Sequence, residues 1–166
     1  MTLKKPVYLL LALLLPGLIF VFLKYQGHNR FDIPVYHQEI VEAPDGCDSH
    51  YEAPYKVDLA ELDRSWKPAT ATVIYFPREG TDVQRIFRAL TEEFENEDFF
   101  LIDACNIVSD TTACAQWKKC FFLVKEPWHV VLVDKSGAIR GYYDLVLREE
   151  MDRLRVELKI LLEKYQ

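Results

Sequence analysis

The sequence lacks most of the motifs that would assign it a chemistry. It has no phosphate-binding loop, no dinucleotide fingerprint and no Ser-His-Asp arrangement, so nucleotide chemistry and triad hydrolysis have no basis in it. Internal repeats and low-complexity tracts are absent. It lacks a basic excess: 26 acidic residues outweigh 20 basic ones, for a formal charge of −6. Beyond residue 23, 18 basic residues face 26 acidic ones, a balance of −8. That balance excludes nucleic acid and an anionic membrane surface as natural partners of this part. Cysteine is scarce, with four residues, and no two stand in a CxxC or another tight metal-ligand spacing.

Charge is missing altogether from Pro6 to Leu23, PVYLLLALLLPGLIFVFL. A helix of that length reaches about 27 Å, roughly the hydrocarbon thickness of a bilayer. No Ala-x-Ala-like cleavage site follows it, and no cysteine stands close behind it. The segment therefore reads as an uncleaved transmembrane anchor over residues 6–23, not a signal peptide or lipoprotein leader. Pro16-Gly17 can kink such a helix without forbidding it. Lys4, Lys5 and the α-amino group precede the span, while Lys24 and Arg30 follow it. The positive-inside bias favours a cytoplasmic N-terminus and an exported, extracytoplasmic or periplasmic C-terminal domain at the cell membrane.

Three segments are expected: an anchor over 1–24, a linker or stalk over 25–57, and an α/β domain over 58–166. Pro34, Pro44, Pro54, Gly27 and Gly46 break up the stalk, although FDIPVY can form a strand or a docking segment. In the domain, Leu59 and Leu62 suggest a helical turn, and ATATVIYF (69–76) reads as a buried strand. Val83, Ile86, Phe87, Leu90 and Phe94 share one helical face, opened by a capping-box pattern over Thr81–Gln84. FFLID (99–103) completes a βαβ unit with parallel strands. A weaker helix over 111–119, the apolar FFLV (121–124), the strand HVVLVD (129–134), the turn Lys135-Ser136-Gly137 and the return strand AIRGYYD follow. Leu147, Met151, Leu154, Leu158 and Leu161 then mark an amphipathic helix, with Glu149 and Arg153 spaced to pair on its outer face. The order β-α-β-(α)-β-β-α is the minimal thioredoxin arrangement, so the expected fold is a thioredoxin-like domain with a central mixed sheet.

The run VVLVDKSGAIRGYYD, followed by EEMDRL and the last helix, resembles the C-terminal third of membrane-anchored SCO/SenC-type proteins, and more broadly the thioredoxin-fold redoxins. The anchor and short stalk match that layout. The resemblance is specific over Val130–Leu162, moderate over Thr70–Asp103 and weak elsewhere. It implies a redox or copper-binding cysteine pair at the helix N-terminus after the first buried strand, where a thiolate is stabilised. That position here reads Phe76-Pro77-Arg78-Glu79-Gly80-Thr81-Asp82 and holds no cysteine. The carboxylates of Glu79 and Asp82 are poor donors for Cu(I), which prefers sulfur. The resemblance also implies a histidine ligand, but counting back from Gly137 puts its position near Glu126, not His129. A cis-proline is implied at Trp128, one residue after Pro127. The loop Pro77, Arg78, Glu79, Gly80 and Thr81 is thus a degenerate active-site corner, and the family's catalytic residues do not carry over.

Cys47, Cys105, Cys114 and Cys120 remain as disulfide or redox candidates, with pairing open. Cys114, Cys120 and His129 are weak metal candidates, and Cys47-Asp48-Ser49-His50 is a lone CxxH. Asp103 and Asp134 end strands, where carboxylates serve turns more often than ligands. Tyr142, Tyr143 and Asp144 close the hairpin as a packed pair and its neighbour. The expected function is that of a membrane-tethered SCO-like protein, non-catalytic and without a cofactor, acting as a binding or assembly factor for an unidentified protein. The alternative is a thiol-disulfide oxidoreductase or copper metallochaperone using the non-standard cysteines.

Overall fold

Strands β1 (Ala71–Tyr75), β2 (Phe99–Asp103), β3 (Val130–Asp134) and β4 (Ile139–Tyr143) form one sheet in the order β2-β1-β3-β4. The structure, a computed structural model, describes residues 14–22, 24, 32–47, 51–59, 69–78, 80, 82–108 and 110–164. β1 runs parallel to β2, whereas β3 is antiparallel to β1 and β4 to β3. The expected mixed α/β sheet is therefore present. Helix α1 (Val83–Glu93) makes the crossover between the parallel strands, and α4 (Arg148–Lys164) follows the hairpin.

β-Branched and aromatic residues fill the sheet, and β1, β3 and β4 are buried along their whole length. Alternation sends Ala71, Val73, Tyr75, Val130 and Leu132 to one face, against Leu90 and Phe94 of the α1 segment and Leu154, Leu158 and Leu161 of α4. Ile74, Phe76, Val131 and Val133 turn to the other face, which has its own cover. That cover starts with two short helices, α2 (Ala104–Val108) and α3 (Thr111–Gln116), followed by a π-helical turn, Trp117–Phe121.

The described part of the expected stalk completes it. Residues 33–47 and 51–59 lie along the domain instead of leading away from it: Val57 and Leu59 are buried in this second cover, Tyr51 is buried too, and Ile33 packs into the core of the first face. Tyr36 N donates to Ile139 O at 2.9 Å and Val57 N to Gly137 O at 2.8 Å, so this arm borders the β3–β4 turn. A bulge supports the docking. Leu132 pairs with Gly141 and Val133 with Ile139, leaving Arg140 as the extra residue. Its buried guanidinium donates to Ile33 O at 2.6 Å and stands 3.5 Å from Asp134.

Several local expectations shift. Asp82 caps α1, its carboxylate accepting from Arg85 N, in place of a box begun at Thr81. The helix expected over 111–119 is α up to Gln116 and π beyond. Arg153 pairs with Glu150 at 2.9 Å and Glu157 at 3.5 Å, not with Glu149. Leu147, expected on the core face, precedes α4 and is half exposed.

The chain divides into two units, residues 1–32 and residues 33–166. In the first, residues 14–22 are helical with every side chain exposed. No helix among the described residues is long and apolar enough to cross a membrane. Residues 6–13 and 23 of the expected span lie outside the described residues, as does Leu62.

Gly137 closes the β3–β4 turn at φ +81°, and a Cβ there would stand 2.4 Å from Val57 O, against the docked arm. Gly46 has a similar φ of +77° with open space around it. Gly137→Ala is expected to cost about 3 kcal/mol in chemical unfolding and Gly46→Ala about 1 kcal/mol. Equal losses would show that the arm does not press on the turn.

Candidate functional site

The corner after β1 is closed by an ion pair. Arg78 stands three residues past the end of β1, held there by its own N–H, which donates to Tyr75 Oη at 3.1 Å. Its Nη1 lies 2.9 Å from Asp144 Oδ1 and donates to Pro127 O at 2.6 Å. The Glu126–Pro127 bond is cis. Asp144 comes from the end of β4, is nearly buried, and also accepts from Val146 N at 3.2 Å. One arginine thus ties together the ends of β1 and β4 and the loop before β3. With the arginine side chain 35 % exposed, water screens the pair, which contributes about 1 kcal/mol.

His129 lies behind that pair. Its backbone continues the sheet, donating to Tyr143 O at 3.1 Å and accepting from Phe76 N at 2.8 Å. Its ring is fully buried, edge-on to Tyr75 with centroids 5.7 Å apart. Neither ring nitrogen makes a hydrogen bond, and Asp144 Oδ1 approaches Nδ1 only to 3.4 Å. Burial holds its pKa below the ordinary value; the Asp144 carboxylate and the Pro127 carbonyl, close to the ring but outside ordinary hydrogen-bond geometry, oppose this, and Arg78 and Lys118 reinforce it. A neutral imidazole sealed from solvent cannot exchange protons with a substrate. Among its described residues the corner holds a neutralised guanidinium and no thiol. Of the degenerate loop, Pro77 and Gly80 are exposed and Arg78 is engaged as described, while Glu79 and Thr81 lie outside the described residues.

The four sulfurs form two disulfides, Cys47–Cys120 and Cys105–Cys114, with Cα–Cα distances of 5.5 and 5.1 Å. Cys47–Cys120 ties the arm to the π-helical turn. Tyr51 Oη and Tyr55 Oη reinforce it by donating to Cys120 O and Phe121 O, each at 2.7 Å. Cys105–Cys114 clips α2 to α3. Cys114, Cys120 and His129 are not brought together as ligands, since the two sulfurs belong to different disulfides. Among the described residues no group of three His, Cys, Asp or Glu could hold a metal ion. His50 of the CxxH lies outside the described residues.

The strand-end carboxylates serve turns and caps. Asp134 Oδ1 accepts from Ser136 N and Oγ at 2.8 and 2.7 Å, and Asp103 Oδ1 from Cys105 N at 3.1 Å. Tyr142 and Tyr143 are packed on opposite faces. Tyr142 stacks on Trp128, and its hydroxyl donates to Phe122 O at 2.9 Å while meeting His37 Nε2 at 2.8 Å. That geometry makes Nε2 the protonated nitrogen of His37. Tyr143 bonds Glu157 and lies under the Arg153 guanidinium. Sequence reading left the Arg78–Asp144 pair unseen. Its only sign was a lone arginine in the loop and an aspartate at the end of the return strand, 66 positions apart.

No protein-family model, curated protein or solved structure matches the chain.

A buried His129 with a lowered pKa makes the folded state refuse a proton that the unfolded chain accepts below about pH 6.5. Stability contributed by the neutral ring is complete above that pH and declines as pH falls toward the folded-state pKa. His37, lowered by burial and by Lys125, acts in the same direction. Unfolding free energies at about pH 7.5 and pH 5.5 should therefore differ. His129→Leu should flatten that slope by up to about 1.4 kcal/mol per pH unit, the limit for one proton. An unchanged slope would show that the ring titrates normally.

Proposed function

We propose that this chain is a membrane-tethered, thioredoxin-like and SCO-like protein without a catalytic step, serving as a binding or assembly factor on the exported side of the membrane. The observation that carries this reading is the Arg78–Asp144 pair, with Pro127 O, filling the corner where the resemblance expects thiols. The sheet order supports the fold assignment: a parallel βαβ unit, then an antiparallel hairpin and a terminal helix, is the minimal thioredoxin topology. Two disulfides support an oxidising compartment, and the charge-free run Pro6–Leu23 supports the tether.

One observation favours the alternative of a thiol oxidoreductase or copper metallochaperone. Tyr75 pairs with Asp103, so Cys105, two residues further on, stands at the same rim of the sheet as Arg78. Cys114 is buried, however, and its disulfide belongs to the cover of the sheet.

The full-length chain in detergent should give no insulin reduction above background with glutathione or dithiothreitol as reductant, and no stoichiometric Cu(I) binding in a competition titration. Turnover, or Cu(I) binding abolished by Cys105→Ser or Cys114→Ser, would overturn the non-catalytic reading.

A further inference from the structure

We propose that the groove between α1 and α4 is a docking site for an acidic peptide segment of a partner protein. This names the chemistry of the partner in the binding role above and rests on that reading. The groove encloses about 550 Å³, within the ~300–1,000 Å³ usual for ligand clefts. The first turns of both helices contribute to its lining. Arg85 on α1 and Arg148 on α4 both line it. Both are exposed, and neither has an acidic side-chain partner among the described residues.

The other charges in the groove are already engaged. Arg155 lies 3.0 Å from Glu93 and 3.7 Å from Asp152, and the Asp82 carboxylate caps α1. Among the described lining residues, Arg85 and Arg148 are therefore the charges without an acidic side-chain partner, in a chain that is acidic overall. Apolar side chains share the lining, with Ile86 and Met151 half-buried and Val146 52 % exposed. Exposed arginines interspersed with apolar side chains complement an extended segment in which carboxylates alternate with apolar side chains. An all-apolar ligand would leave the arginines unanswered, and a small anion would leave the apolar side chains uncovered.

The test is fluorescence anisotropy of the full-length chain in detergent with a labelled short peptide alternating Glu and Leu. Saturable binding is expected, weakening with salt. Replacing Glu by Gln in the peptide, or the double variant Arg85→Glu/Arg148→Glu, should weaken it by ~10-fold or more. Arg85→Lys/Arg148→Lys should retain most of it, and circular dichroism of each variant checks that the fold persists. Absent or unsaturable binding, equal affinity for the Gln peptide, or undiminished binding by the charge-reversed variant would overturn the proposal. So would binding to anionic phospholipid vesicles in place of the peptide. Failure here is separable from failure of the non-catalytic reading: insulin turnover would overturn that reading alone, whereas a lost peptide signal without turnover would overturn the groove alone.

Discussion

Burial of the sheet on both faces is the constraint from which the rest of this structure follows. β1, β3 and β4 expose nothing along their length, so each face needs a cover. One cover is ordinary: α1 and α4 lay leucine and phenylalanine onto one face. Each such side chain contributes about 1.5–3 kcal/mol on burial. The other cover consists of helices too short to hold themselves in place, a π-helical turn and an irregular arm. Cross-links supply what regular structure does not. Cys47–Cys120 joins the arm to the turn, Cys105–Cys114 joins the two short helices, and Arg140 grips the arm at Ile33.

That use of cysteine bears on the corner after β1. All four sulfurs are committed to holding the second cover, and an arginine occupies the space beside the proline loop. The pair it makes with Asp144 joins strand ends that would otherwise meet only through the sheet. His129, sealed behind it, is kept neutral by the same exclusion of water. Such an arrangement suits a rigid scaffold presenting a surface, and the exposed arginines of the α1–α4 groove are the charged feature that surface offers.

The regular elements were legible because their hydrophobic periods are strong. The alternation in ATVIY and VVLVD and the leucine ladder of α4 place themselves, and the βαβ order then dictates parallel strands. The arm was not legible. Its buried residues, Ile33, Tyr51, Val57 and Leu59, follow no period, and the prolines between them give the signature of a linker. Arg140 was hidden for a related reason: the bulge that turns it toward Ile33 breaks the two-residue repeat from which its direction would be read. The loop Pro77–Thr81 was correctly seen to lack cysteine. What fills it was not seen, because the partners of Arg78 come from the far end of the hairpin and from the carbonyl of Pro127. Disulfide pairing was open for the same reason, being a property of the fold and not of spacing.

In the function proposed above, the sulfurs hold the fold and take no part in redox or copper chemistry. This is tested most directly by titrating the full-length chain through thiol redox buffers, with alkylation and mass spectrometry scoring each disulfide and tryptophan fluorescence scoring the fold. The account predicts that both disulfides persist until strongly reducing conditions, below about −300 mV, and that the fold loosens as they open. Reversible opening of Cys105–Cys114 in the range of about −120 to −270 mV typical of thiol oxidoreductases, with the fold unchanged, would contradict it.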